Sequence, residues 1–241
     1  MAGSASSPSI RVGVSGFSYP SWRGRFYPKE QKSEEFLTYY SGRLNTVEIN
    51  SSFYAPPRSA AVEGWREKTG EGFSFSFKAP KEVTHIKKLG SASLPLVERF
   101  SKTLGLLGPK RGPILFQLPP YMKQDLALLE EFIARTSEVP QRVFEFRHAT
   151  WFEEPTYRLL DRSGAGFCVA ESEDLKAVQR TTGGLGYYRL RKDAYDAGEI
   201  DGWSKRIKDA SAGLSGAYVY LRHDETGENA ILAQRMAESL G

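Results

Sequence analysis

One cysteine, Cys168, stands in 241 residues, so no disulfide forms within this sequence and cysteine-cluster zinc or iron–sulfur sites are excluded. Histidine is almost as scarce. His85, His148 and His223 are the three present, and no two of them lie at the short spacing of a metal-ligand pair. No stretch approaches the ~20 apolar residues that a membrane helix needs, and Met1 to Ser9 has neither the basic start nor the apolar stretch of a signal peptide. Residues 1–9 read as a disordered lead-in. Together with the lone cysteine, these absences point to a soluble cytoplasmic chain with no membrane partner. Internal repeats, low-complexity linkers and composition breaks are also missing, which leaves a single domain over residues 10–241. Gly13-Val-Ser-Gly16 lacks the GxGxxG and Walker lysine signatures, so it resembles a phosphate loop only superficially. The net charge of +4 and pI near 9.0 are too modest to identify a nucleic-acid partner by themselves.

What is abundant is alternation. Strands turn successive side chains to opposite faces, so Phe73-Ser-Phe-Ser-Phe-Lys78 places three phenylalanines on one face and Ser74, Ser76 and Lys78 on the other. Arg142 to His148 does the same with Phe144 and Phe146 against Glu145 and Arg147. Eight period-two segments begin near Ile10, Thr46, Phe73, Pro113, Arg142, Ala165, Leu185 and Ala217. Helical spacing separates them over 33–40, 59–68, 94–107, 125–137, 154–160, 203–212 and 227–240, while 173–180 reads only as a turn. Eight strand–helix units in about 240 residues predict an α/β fold, a single TIM-type (β/α)8 barrel. An open doubly wound sheet is the second choice, disfavoured because its strands would be apolar on both faces.

With the greasy faces under the helices, the barrel interior receives Arg11, Gly13, Ser15, Glu48, Asn50, Ser76, Lys78, Gln117, Glu145, Arg147, Tyr187, Arg189, Arg191, Tyr218, Tyr220 and Arg222. Such an interior is polar and charged where most barrels carry Val, Ile and Leu. Most of its charges fall toward the C-terminal strand ends, the mouth where barrel enzymes build their sites. Lys78, Arg147, Arg189, Arg191 and Arg222 outnumber Glu48 and Glu145 by three, which an anionic ligand would balance. The alternative is a self-satisfying ion network with the remaining cations reaching water. Tyr19, Trp22, Phe53, Tyr54 and Trp151, following strands one, two and five, either stack a base or sugar ring or cap the mouth as a minor apolar core. Basic loops at 19–32 and 78–90 add a path for a polyanion, and Glu171 and Glu173 make the opposite rim acidic.

Gly13 to Pro28, Glu48-Ile-Asn-Ser-Ser-Phe-Tyr54, Phe75-Ser-Phe-Lys-Ala-Pro-Lys-Glu-Val-Thr-His85, Gly112 to Pro120 and Glu145-Phe-Arg-His-Ala-Thr-Trp151 resemble, in order, the motifs of the YecE-like family, domain of unknown function 72. The resemblance runs from about Arg11 to the C-terminus and implies a TIM-type barrel without an established reaction. Where that family commonly has Arg-x-His-Gly at strand seven, this chain has Arg189-Leu-Arg-Lys192, and paired asparagines after strand eight are replaced by Arg222-His223. The usual aspartate after strand six is absent, with Glu171 nearby.

These readings predict an anion-binding mouth with Glu145, Glu48 and Lys78 as catalytic groups. Arg147, Arg189, Asn50, Gln117, Tyr19, Trp22, Tyr54, His85, Trp151, Arg191 and Arg222 are the expected ligand contacts. The favoured partner is a phosphorylated or otherwise anionic small molecule or nucleotide. The other reading is a non-catalytic module for single-stranded nucleic acid. No metal site is expected, and the sequence names no cofactor.

Overall fold

The computed structural model describes residues 9–241; of the expected lead-in, 1–8 lie outside the described residues and Ser9 opens the first strand. Eight strands follow: β1 (Ser9–Val14), β2 (Thr46–Ile49), β3 (Ser74–Lys78), β4 (Arg111–Gln117), β5 (Arg142–Glu145), β6 (Gly166–Glu171), β7 (Leu185–Leu190) and β8 (Gly216–Leu221). All pair in parallel, in the order β1-β8-β7-β6-β5-β4-β3-β2. The ring closes where Ser15 bridges Glu48 and the Gly16 amide donates to the Glu48 carbonyl at 2.9 Å. Closure removes the open-sheet alternative. Gly13 makes it sterically feasible, because a Cβ there would lie 2.0 Å from the Thr46 carbonyl oxygen.

Among the described residues the seven α-helices are α1 (Phe36–Ser41), α2 (Ser59–Glu67), α3 (Leu94–Leu104), α4 (Leu126–Arg135), α5 (Glu154–Arg162), α6 (Ala197–Ser211) and α7 (Glu228–Leu240). Between β6 and β7, residues 172–184 turn without a helix, as their poor periodicity predicts. Several boundaries differ from the periodic reading, those of α6 and α3 among them. α6 begins six residues before Trp203, since Asp196 and Glu199 form a reciprocal capping box: Asp196 Oδ1 accepts from the Glu199 amide at 2.8 Å and Glu199 Oε2 from the Asp196 amide at 3.0 Å. α3 ends at Leu104, before Leu107, where Gly105 opens a 3-10 turn over 105–110.

The outward phenylalanines do what alternation predicts. Phe75 stacks against Trp65 of α2, Phe77 meets Phe100 of α3 edge-on, and Phe132 of α4 packs between Phe116 and Phe144. Inside the ring the polarity is graded. Toward the N-terminal end, Tyr218 pairs with Ser74 at 3.3 Å, and the Tyr220 hydroxyl meets Ser76 at 2.6 Å and Thr46 at 2.7 Å, with Leu115, Val143, Cys168 and Leu185 filling the space between. At the lower rim Arg11 reaches the Gly72 carbonyl, and the buried charges inside the ring lie in the layer above. Among the described residues no helix is long and apolar enough to cross a membrane.

Candidate active site at the barrel mouth

The centre of the upper layer is a carboxylate–guanidinium–carboxylate bridge spanning three strands. Arg189 of β7 donates from Nη2 to Glu48 Oε2 of β2 at 2.8 Å and from Nη1 to Glu145 Oε2 of β5 at 2.6 Å. Both glutamates are fully buried and Arg189 is 1% exposed. Further donors complete each carboxylate. Tyr187 Oη reaches Glu48 Oε1 at 2.8 Å and Ser15 Oγ reaches Glu48 Oε2 at 3.0 Å; Gln117 Nε2 reaches Glu145 Oε1 at 2.8 Å, where Arg147 also bonds. Every oxygen of both glutamates therefore accepts at least one hydrogen bond. Burial pushes both carboxyls up, but Arg189 outweighs it with help from Arg191 at Glu48 and Arg147 at Glu145; Glu48 ends below the usual carboxylate range and Glu145 at about 2. In return the two carboxylates hold the Arg189 guanidinium protonated against its burial.

Two more cations, Arg191 and Lys78, stand around this bridge without a carboxylate partner among the described residues. Arg191 donates to Ser15 Oγ at 3.1 Å, and burial followed by the nearby Arg189 charge lowers it to about 10. Lys78 places Nζ 4.0 Å from the Phe53 ring centre, and burial, then Arg189, lowers its amine from 10.5 to about 8. With Arg147 and Arg189, these make four cations against two carboxylates. The local surplus is two positive charges. Nε of Arg147 and of Arg189, both buried, have no hydrogen-bond partner among the described residues. Asn50 sits beside Arg189, its Oδ1 3.5 Å from Nη2.

Other expected contacts lie elsewhere. Arg222 is not part of the inner cluster; it pairs with exposed Asp193 on the rim, which lowers the expected surplus from three to two. Trp22 and Trp151 are completely buried, with their indole nitrogens donating to the Asp224 and Met122 carbonyls, each at 2.8 Å, so they cap the barrel as core and offer no free ring face. Tyr19 is half-buried, stacks on His223 at 4.8 Å and donates to the Ser15 carbonyl at 2.9 Å. Tyr54, by contrast, is 83% exposed. In the loop after β1, Arg23 holds the Gln31 carbonyl and Ser33, and Arg25 pairs with Glu228, so these cations are committed to their own fold.

The histidines do not gather. His85, on a π-helical turn over Glu82–Ile86, meets Phe53 edge-on at 5.0 Å; burial and the charges of Lys78 and Lys81 lower its imidazole, so it is neutral near pH 7. His148 Nδ1 accepts from the Thr150 amide at 3.2 Å and caps the 149–151 turn. Among the described residues no three of His, Cys, Asp or Glu come together as a metal-holding group. Sequence reasoning places Phe53 among the mouth aromatics and Cys168 in the core, but does not pair Phe53 with Lys78 or bring Cys168, its thiol pushed up by burial, to 4.0 Å from Glu145 Oε2. The spacing Asn50-Ser-Ser-Phe53 carried the first signal, because one 3-10 turn after β2 brings Phe53 back over the mouth. A cavity of about 810 Å³ lies beside the charged cluster, not over it, between Tyr54, Pro56, Pro57, Ile86 and Phe100.

The profile of the family described as "Protein of unknown function DUF72" matches residues 11–241. The UPF0759 protein YecE of Escherichia coli (strain K12) is 27% identical over 176 residues, an alignment covering 70% of this chain and 62% of that protein. A crystal structure of a DUF72 family protein from Thermotoga maritima superposes with a TM-score of 0.82 at 26% identity, covering 96% of this chain and 99% of the other. D-Psicose 3-epimerase of Clostridium cellulolyticum shares the barrel alone, at a TM-score of 0.56 and 11% identity over 96% of each chain. The closed eight-stranded barrel and the match along its whole length make this chain a member of the DUF72 family.

Proposed function

We propose that the protein is an enzyme acting at the barrel mouth on a phosphorylated or otherwise anionic small molecule or nucleotide. One observation carries this reading: Lys78 and Arg191 are partly buried cations without a carboxylate partner among the described residues, set beside two glutamates whose charges Arg189 and Arg147 already match. A bound anion offsets exactly that kind of surplus, since desolvated like charges otherwise repel. In this reading Arg191 and Arg147 bind the anionic group. Glu48 and Glu145 aim Arg189 and Arg147; with all their oxygens engaged and Glu145 held at about 2, they are poor proton acceptors near neutral pH. Lys78, at about 8, is the mouth group whose proton can leave near neutrality.

Thermal unfolding with inorganic phosphate, glycerol 3-phosphate, AMP and their uncharged parents tests the reading. A ligand at 100 times its dissociation constant adds about 2.7 kcal/mol. The phosphorylated compounds are expected to stabilise and the parents not to, with the effect lost in Arg191→Met and kept in Arg25→Met. Equal loss in both variants, or no stabilisation by any anion, refutes it. Exposed Tyr54 and Tyr121, with Lys88 Nζ 5.2 Å from the Tyr121 ring, favour the second reading, single-stranded nucleic acid stacked on the rim. Stabilisation by short oligonucleotides alone would select it.

A further inference from the structure

Lys78 differs from every other cation of the mouth. Arg147 and Arg189 bond to glutamates and Arg191 to Ser15, whereas the Lys78 amine has no hydrogen bond or ion pair among the described residues and rests on the Phe53 ring. Its position at the C-terminal end of β3 puts the amine where barrel enzymes act. Two devices that free a lysine's lone pair coincide here, a desolvating aromatic surface and neighbouring cations. With the amine at about 8, about a tenth of it is unprotonated at pH 7.

Resting on the anion-site reading above, we propose that Lys78 forms an imine with the carbonyl carbon of a small aldehyde or ketone whose anionic group is held by Arg191 and Arg147. The amine lone pair attacks the carbonyl carbon, the C–N bond forms, and the C=O π electrons move to oxygen. The carbinolamine then expels that oxygen as water. Overall, ammonium and carbonyl give a protonated iminium and one water, with no net proton gained or lost. The cation at this position keeps its single charge, so the field set by Glu48 and Glu145 favours the iminium as it favoured the ammonium. An iminium withdraws electrons from the bonds of the carbon next to the former carbonyl, which places the reaction among proton abstractions or aldol-type cleavages at that neighbouring carbon.

Trapping decides it. The full chain is incubated with dihydroxyacetone phosphate, glyceraldehyde 3-phosphate or pyruvate plus sodium cyanoborohydride, and adducts are located by peptide mass spectrometry. The expected result is a single secondary amine at Lys78, formed at least about tenfold faster than at exposed Lys81 because the bound anion holds the carbonyl in place. Glycerol 3-phosphate, which has no carbonyl, is expected to protect it, and Lys78→Arg to abolish it. Absence of an adduct with all three probes, or labelling spread evenly over Lys78, Lys81 and Lys88, overturns the proposal. Stabilisation by glycerol 3-phosphate without any adduct would leave the anion site standing and remove the imine. Labelling of Lys78 by dihydroxyacetone as fast as by its phosphate would remove the anion site instead.

Discussion

Replacing Arg189 by methionine tests the central bridge most directly. The substitution keeps an apolar stem of similar length and removes the one group bonded to both buried glutamates. Breaking a buried pair from one side leaves uncompensated charge and costs about 3 to 5 kcal/mol. Glu145, held at about 2 instead of 4.5 by Arg189 together with Arg147 and Gln117 against its burial, carries a net contribution of about 3 kcal/mol at neutral pH, of which Arg189 supplies a part. The sign fixes the pH window. Because the folded-state value is depressed, this stabilisation is complete above 4.5 and disappears as pH falls toward 2. In the variant, burial is left less opposed and drives both carboxyls upward, so its deficit should be largest at neutral pH and shrink as they protonate near pH 4. Urea unfolding at pH 7.5 and pH 4 measures this, with Arg222→Met as control, since the rim pair with Asp193 should matter by less than about 1 kcal/mol. An Arg189→Met deficit at pH 7.5 no larger than the control's, or one that does not narrow at pH 4, refutes the argument.

Lys78→Met should act in the opposite direction. A lysine lowered from 10.5 to about 8 costs stability fully below 8 and nothing above 10.5, so the variant is expected to gain about 1 to 3 kcal/mol at pH 7, fading by pH 10.5; a variant less stable than the parent at pH 7 would show that the amine has a stabilising partner. Gly13→Ala drives a methyl group against the Thr46 carbonyl at the β1–β2 seam and is expected to cost about 3 kcal/mol or more by chemical denaturation. A near-neutral result there would mean the barrel closes with more slack than its register implies.

The barrel was legible because its strands alternate strictly. Phe73, Phe75 and Phe77 could only face helices if Ser74, Ser76 and Lys78 faced inward, and each such pattern fixed one strand's orientation. The same logic placed Glu48, Glu145 and Arg189 in one interior. It could not rank their partners, because alternation fixes a side chain's face but not which residue across the ring it meets. Arg222 shows the limit. Its strand position aims it inward, yet β8 ends at Leu221, and the chain beyond lets the guanidinium turn to Asp193. Trp22 and Trp151 fail for another reason: loops after strands fold back over the barrel, and an indole large enough to stack a ligand is equally suited to fill a core.

The graded interior separates what folding requires from what it does not. In its lower part the barrel meets polar inward positions with neutral groups, Tyr218 on Ser74 and Tyr220 on Ser76 and Thr46, at no cost in buried charge. The same device was available above, where Tyr187 also points inward. Instead that layer carries six ionised groups, and apolar replacements for buried ion pairs are often neutral or stabilising. Arg189 and Arg147 match the charges of Glu48 and Glu145, whereas Lys78 and Arg191 are lowered by burial and by Arg189 despite the pull of the two glutamates. Stability therefore accounts for the bridge and leaves these two cations unexplained. Their place, at the open end of a closed barrel beside a rigid and electrically matched core, is where binding an anion offsets the cost of keeping them there.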